Sequence, residues 1–214
     1  MVPAALRGQE VTVLPTTRTV VALTFDAGAG AQGLARILRT LADQHVPATF
    51  FLTGRWAQAN PSGVTEIVAA GHRIGNHSMT HPAFTGLSDS AIAEQVHAAE
   101  QAIRAAGGDP RPLFRFPLGD RDQRTIATVN EAGYVPVRWT VDTLGWTGVS
   151  GNMTAKQVSD RALAALRPGE IVLMHVGANP DDSSTLDADA LPDVIARMRG
   201  AGYAFVTLDT LLSG

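Results

Sequence analysis

Acidic, basic and imidazole side chains stand at or just after the ends of short apolar segments along this sequence. These residue types transfer protons, pair with anions and bind metals. Because the carboxyl ends of parallel strands meet on one face of an α/β barrel, where active sites form, this placement predicts one shared site. Its predicted members are Asp26, His77, His81, Arg115, Asp142 and His175.

Two of these residues, His77 and His81, are four positions apart and lie between Gly75 and Pro82. On one helical turn that spacing aims both imidazoles in the same direction. Neutral imidazole binds transition metals well, so the pair predicts a divalent metal site, with zinc as the first choice and cobalt as an alternative. Solvated or helix-capping histidines share this spacing, but the bracketing glycine and proline indicate one tight turn and favour the metal.

The other four residues each have a structural and a chemical interpretation. Asp26 ends an apolar segment, where it is either a catalytic carboxylate or the cap of the next helix. Arg115 lies between two phenylalanines, so we expect it to be partly buried and paired with an anionic group. Asp142 is expected to need a cationic partner for the same reason. His175 ends the apolar segment 171–174 and is either a satisfied core residue or a tuned acid/base.

The elements that must position these residues alternate along the chain, with helical patterns between the predicted strands. The seven strands are predicted at 20–26, 48–54, 73–77, 113–116, 135–142, 170–175 and 204–208. This order predicts an α/β fold, a parallel sheet with right-handed crossovers that closes into a single deformed (β/α) barrel. An open doubly wound sheet is the alternative. We expect an N-terminal extension over residues 1–18 and one barrel domain over 19–214.

Composition excludes several classes of protein. The 214 residues carry a formal net charge of −3, so the chain has no basic footprint for nucleic acid, and no apolar run is long enough for a membrane span. The chain has no cysteine, which excludes disulfides and thiolate metal sites. The first nine residues show no secretion signal, so the chain is expected to be either cytoplasmic or a mature form without its leader. We expect a monomer.

In chain order, five segments of the sequence resemble the motifs of the polysaccharide deacetylase family, carbohydrate esterase family four, which includes chitin and peptidoglycan deacetylases. They are residues 24–28, 77–81, 115–119, 142–146 and 173–175. The resemblance runs from about residue 20 to residue 211. It implies a deformed barrel, metal-dependent removal of acetyl groups from N-acetylated sugars, and a secreted or cell-envelope location.

The resemblance also implies a role for each residue. His77 and His81 would hold the metal, Asp26 would be the general base oriented by Arg115, and His175 the general acid. Asp142 would favour the charged form of His175. The implied substrate-binding residues are Leu118, through its backbone N–H, and Trp146 and Leu173, as walls for the acetyl methyl group.

Three positions depart from the family pattern. Ala27 stands where the family has a metal-binding aspartate, Leu118 where it usually has tyrosine, and Gly145 where it often has a second aspartate. A water molecule, an inward turn of Asp26, or a carboxylate from Asp120 or Asp122 could fill the gap at Ala27. Two other functions therefore stand beside N-deacetylation: a catalytically degenerate barrel that binds sugar polymers, and a deacylase acting on O-acetyl or formamido sugars.

Overall fold

The computed structural model of the protein describes residues 2–212, and the strands within this range all pair in parallel. They are β1 (Val20–Ala27), β2 (Thr49–Leu52), β3 (Arg73–Asn76), β4 (Leu113–Phe114), β5 (Val135–Pro136), β6 (Val141–Asp142), β7 (Glu170–His175) and β8 (Ala204–Phe205). Their order in the sheet is β5-β4-β3-β2-β1-β7-β6, and β8 pairs with the start of β1.

Seven α-helices lie between these strands in the described part of the chain. They are α1 (Leu34–Gln44), α2 (Gly54–Ala59), α3 (Pro61–Ala69), α4 (Asp89–Ala105), α5 (Gln123–Glu131), α6 (Ala155–Ala164) and α7 (Leu186–Gly200). The side chains of Ser88 and Thr154 cap α4 and α6 by accepting backbone N–H bonds. Within residues 2–212, no helix combines the length and the apolar character needed to cross a membrane.

Strand β1 lies at the centre of the sheet, and all eight of its residues are buried. Successive side chains of a strand point to opposite faces. Leu23 and Phe25 accordingly pack in the apolar cluster shared with the helices, whereas Ala22 packs in a second cluster with Phe51 and Ile171 from neighbouring strands. The second cluster fills the inside of the curled sheet, so the predicted deformed (β/α) barrel is confirmed.

The prediction of one strand over residues 135–142 is wrong, because this stretch forms the two short strands β5 and β6. The backbone N–H of Val137 donates to the carbonyl of Phe114 on β4, whereas that of Thr140 donates to Ile171 on β7. The chain therefore crosses from one edge of the sheet to the other and cannot continue a single ladder.

An N-terminal segment covers the gap between these two edges. Val11 forms a parallel bridge to Val137, and Val13 forms an antiparallel bridge to Glu170. Val11 and Leu14 are buried in the cluster inside the barrel. We call this junction, formed by residues 11–14 against 137–140 and Glu170, the seam of the barrel.

Candidate active site

A cavity of about 620 Å³ opens at the carboxyl ends of the strands. Its size is typical of pockets that bind small molecules. Eight of the nine predicted site residues line it, from five separate parts of the chain: Asp26, His77, His81, Leu118, Asp142, Trp146, Leu173 and His175. The ninth, Arg115, is fully buried and reaches the cavity through its contact with Asp26.

Asp26 and Arg115 form a buried ion pair. Nη1 of Arg115 donates to Oδ1 of Asp26 at 2.8 Å, and the other guanidinium nitrogens donate to the carbonyls of Val137 and Arg138. Burial alone would raise the pKa of Asp26, but the charges of Arg115, His77 and His175 outweigh it and hold that pKa below its usual value. Asp26 does not cap α1, whose N-cap is Gly33. The structure thus presents a carboxylate kept ionised, with Oδ2 not bonded to Arg115.

His77 and His81 lie close together, but not on a helical turn. The backbone of Ser78 and His81 is left-handed, with φ of 68° and 61°, and residues 77–83 contain no helix. The ring centroids of His77 and His81 are nevertheless 4.8 Å apart, with the rings at 73° to each other. The structure thus brings the two imidazoles together without a helical turn. Strained backbone of this kind is typical of functional sites.

The hydrogen bonds of His77 indicate a place for a cation. Nδ1 lies 2.8 Å from the carbonyl oxygen of Arg115, which can only accept, so Nδ1 carries the proton. In a neutral ring the lone pair is then on Nε2, which lies 3.3 Å from Oδ2 of Asp26. Burial lowers the pKa of His77 to about 4, which favours this neutral ring. Two acceptors facing each other leave room for a metal ion.

The donor set is incomplete for a catalytic zinc site, which normally has three protein ligands. Within residues 2–212, no three His, Cys, Asp or Glu side chains form a group that could hold a metal. Ala27 is fully buried among apolar residues. Asp120 and Asp122 do not reach in, because Asp120 accepts hydrogen bonds from Thr85 and Asp122 caps α5. The groups available to a metal are therefore the two imidazoles and the nearby carboxylate of Asp26, whose Oδ2 lies 3.3 Å from Nε2 of His77.

The carboxylate that contacts His175 belongs to a residue that the sequence analysis missed. Asp187, in the first turn of α7, is 3% exposed, and its Oδ2 lies 3.7 Å from Nδ1 of His175. The same oxygen accepts the backbone N–H of His175 at 2.8 Å. Burial lowers the pKa of His175, but the carboxylates of Asp187, Asp26 and Asp142 together raise it above the usual value. An imidazole biased toward its charged form thus lies on the same cavity as ionised Asp26.

Asp142 has other direct partners. Its Oδ1 accepts the backbone N–H of Leu144 at 2.8 Å, and its Oδ2 accepts Nε1–H of Trp146 at 3.2 Å. Asp142 therefore fixes the loop after β6 and the indole on the cavity wall, and acts on His175 only through space.

Apolar side chains form the walls of the cavity mouth. Leu173 is buried, whereas Trp146 is 49% exposed and Leu118 is 70% exposed. The Trp146 ring lies 6.4 Å from the ring of His175. Exposed apolar side chains of this size at a cavity are typical of a surface that receives a ligand. The walls therefore suit a substrate with an apolar group that enters the cavity and a larger part that remains outside.

Comparison with known sequences relates this chain to polysaccharide deacetylases. A family model described as polysaccharide deacetylase matches residues 14–137. A chitooligosaccharide deacetylase from Sinorhizobium fredii is 34% identical over 181 residues, which are 83% of this chain and 81% of the relative. A peptidoglycan-N-acetylglucosamine deacetylase from Bacillus cereus is 32% identical over 197 residues, which are 92% of this chain and 70% of the relative.

Solved structures resemble this fold over nearly its whole length. A wild-type carbohydrate esterase family four pseudoenzyme from Bacillus anthracis has a TM-score of 0.86 at 30% identity, covering 97% of this chain and 70% of that chain. A mutant of that pseudoenzyme with restored enzymatic activity has a TM-score of 0.87 at the same identity and covers 97% of this chain and 72% of that one. The relatives thus include proteins named as deacetylases and one named as a pseudoenzyme.

Proposed function

The chain belongs to the polysaccharide deacetylase family, and on this basis we propose that it removes acetyl groups from N-acetylated sugars by amide hydrolysis. Two of the relatives are named as deacetylases of chitooligosaccharides and of peptidoglycan N-acetylglucosamine. The proposed substrates are therefore oligomers or polymers that contain N-acetylglucosamine. Since peptidoglycan belongs to the cell envelope, the proposed place of action is outside the cytoplasm, with the protein acting as a monomer.

The observation that carries the proposal is a pair of proton-transferring groups held in opposite charge states on one cavity. Arg115 keeps the pKa of Asp26 low, and Asp187 raises that of His175, each against the effect of burial. Groups whose pKa values are pushed in opposite directions are what a general base and a general acid require. Binding of a neutral sugar requires neither.

The proposed reaction uses these two groups in turn. Oδ2 of Asp26 accepts a proton from the attacking water while Arg115 holds Oδ1. A C–O bond forms at the acetyl carbon and the C–N bond breaks, while the imidazole of His175 donates a proton to the leaving nitrogen. The products are acetate and a free amine. Trp146 and Leu173 enclose the acetyl methyl group, and the backbone N–H of Leu118 faces the developing oxyanion.

A divalent metal, zinc or cobalt, would be held by His77 and His81 in this proposal. When bound, it supplies Lewis-acid polarisation of the acetyl carbonyl and a lower pKa for water. Because Ala27 offers no ligand, we expect the metal to bind weakly, so that the occupancy of the site is low unless the metal is added. Both imidazoles are suited to binding, since burial lowers the pKa of His77 and of His81 and keeps their lone pairs available.

A second candidate function is binding of sugar polymers without hydrolysis. The observation that favours it is the missing ligand at Ala27, together with the similarity to a structure named as a pseudoenzyme. In that case the apolar walls would bind the sugar, and the charge states of Asp26 and His175 would have no consequence for it.

The test is acetate release from N-acetylglucosamine oligomers by the purified protein, by the chelated protein, and after addition of zinc or cobalt. Asp26→Asn and His175→Gln are the informative variants. Asp43→Asn, which changes an exposed carboxylate on α1, is the matched control. O-acetylated xylan and formamido sugars are assayed in parallel.

Release that chelation removes and metal restores, and that both site variants abolish, supports N-deacetylation. No acetate from N-acetylated oligomers under any condition contradicts it. Oligomer binding that survives Asp26→Asn without turnover would then indicate the binding barrel, and release from the other acyl substrates would indicate a different deacylase.

A further inference from the structure

Gly145, in the loop after β6, and Asp187, at the start of α7, adjoin the same small volume beside His175. An ideal Cβ on Gly145 would overlap Oδ1 of Asp187 and lie 2.5 Å from its Cγ. Real side chains do not approach so closely, so the carboxylate of Asp187 occupies the space that any larger residue at position 145 would need. This volume holds a side chain from position 145 or the carboxylate from position 187, but not both.

Asp187 is built into this place by several donors. Oδ1 accepts the hydroxyl of Thr143 at 2.7 Å, and Oδ2 accepts the backbone N–H of His175 at 2.8 Å. The residue also lies in the first turn of α7, where the helix dipole favours a negative charge. A buried carboxylate with these partners has one fixed orientation.

The imidazole of His175 has one nitrogen without a hydrogen bond. Nδ1 is buried and makes no hydrogen bond to any described residue, and it faces Oδ2 of Asp187 at 3.7 Å. That separation exceeds a hydrogen bond by a few tenths of an ångström, which a small rotation of the ring closes. With Nδ1 directed at Asp187, Nε2 is left for the cavity.

We propose that Asp187 is the positioning residue of His175, and that Gly145 is required because this carboxylate comes from α7 instead of from the loop after β6. The role of His175 in this inference rests on the proposed function. Asp142, in contrast, uses both of its oxygens on the loop and on Trp146, and it positions the wall of the cavity. In this proposal the carboxylate beside His175 comes from α7, in the volume that a side chain at position 145 would otherwise fill.

The first test does not depend on activity. In ¹⁵N-labelled, metal-free protein, the ring nitrogens of His175 are assigned from the signals lost in His175→Gln. We expect the neutral ring to carry its proton on Nδ1, and Asp187→Asn to reduce that form by about two-fold or more, because the partner of Nδ1 sets the tautomer. Asp142→Asn is the matched comparison and should leave the tautomer unchanged. An unchanged tautomer in folded Asp187→Asn, or a larger change in Asp142→Asn, would overturn the proposal.

The second test exchanges the two positions. Asp187→Gly should lower kcat by about 10²-fold with little change in KM, since it removes support for proton transfer and not a substrate contact. Gly145→Asp alone should destabilise the fold through overlap. The double variant Gly145→Asp with Asp187→Gly should fold and recover about ten-fold in kcat over Asp187→Gly. A folded double variant with no recovery contradicts the exchange. If the wild type releases no acetate, the proposed function fails, and the NMR comparison still decides the role of Asp187.

Discussion

Each proton-transferring residue of the site depends on a partner from another element. The need of Arg115 for an anion follows from its aromatic neighbours in the sequence, whereas its pairing with Asp26 is implied only by the family resemblance. The role of Asp187 could not be predicted, because an aspartate in the first turn of a helix is ordinary and its usual explanation is the helix dipole. Only the packing of α7 beside β7 shows that this carboxylate lies below His175.

Ala27 leads to a prediction about metal affinity. Ala27→Asp should bind zinc about ten-fold or more tightly than the wild type, because it adds a third protein ligand beside His77 and His81. The metal-free variant should be less stable, since position 27 is fully buried among apolar residues. Zinc titration by calorimetry, with melting curves with and without zinc, checks both effects. Ala27→Asn is the uncharged control, and equal zinc affinity in all three proteins would show that the missing carboxylate does not limit binding.

Glu170 leads to a prediction about pH and stability. The residue is fully buried, both carboxylate oxygens lack a hydrogen bond within residues 2–212, and burial raises its pKa to about 7 from the ordinary value of 4.5. The unfolded chain therefore loses this proton at lower pH than the folded protein. Stability should fall as pH rises from about 4.5 to about 7, by ~3 kcal/mol in total, and this contribution should be constant above that range.

Urea unfolding of the wild type and Glu170→Gln across pH 4 to 8 measures this contribution as the difference between the two proteins. The difference should grow in favour of the variant as pH rises, because glutamine does not ionise. Glu66→Gln, at an exposed position on α3, controls for the loss of one carboxylate elsewhere. Parallel pH profiles for the wild type and Glu170→Gln would contradict the raised pKa.

At the scale of elements, strands and helices could be predicted where the apolar residues recur with a single period along the sequence. For helices, a capping residue at the start adds to that signal. Strand β7 (Glu170–His175) agrees with its predicted range of 170–175 at both ends, and the apolar residues that recur at helical spacing in α4 are buried at Ile92, Val96, Ala99 and Ile103. The stretch 135–142 was not predictable as two strands. Apolar residues alternate with other residues along its whole length, while its hydrogen-bond partners change from β4 to β7. Local pattern carries no information about such a change of partner.

Strand β3 leads to a prediction that links packing to the site. A Cβ on Gly75 would lie 2.5 Å from Cε1 of Phe51, and the Phe51 ring lies 4.1 Å from Cζ of Arg115. Gly75→Ala should therefore displace Phe51 and disturb the guanidinium that holds Asp26. We expect a loss of about 1–3 kcal/mol in the free energy of unfolding together with a lower rate of acetate release.

Gly86→Ala is the matched control for this substitution, because a Cβ there meets no atom within 4 Å. Denaturant unfolding and the acetate assay on both variants give the comparison. An active, fully stable Gly75→Ala protein would show that Phe51 has room to move without affecting Arg115.

At the scale of the whole molecule, the N-terminal segment helps to close the barrel at the seam. Leu14 belongs to the seam, is 2% exposed and packs in the cluster inside the barrel. Leu14→Ala should lower the free energy of unfolding by about 2–5 kcal/mol through lost burial and a cavity. Thr12→Ala, at an exposed neighbouring position, should change it by less than about 0.5 kcal/mol. Equal stabilities in denaturant would mean that this segment contributes nothing to the barrel.

The central place of β1 has a consequence for the order in which the chain is made. This strand is synthesised before two of its partners, because it pairs over six residues with β7 and also with β8, which both follow much later in the chain. Until residues 170–205 are synthesised, β1 has an apolar edge without its neighbours, and edges of this kind associate with other chains. Asp26 likewise meets His175 only at that late stage. Nascent chains should therefore require a chaperone or rapid completion, and chains truncated before β7 should aggregate instead of accumulating as a smaller folded domain.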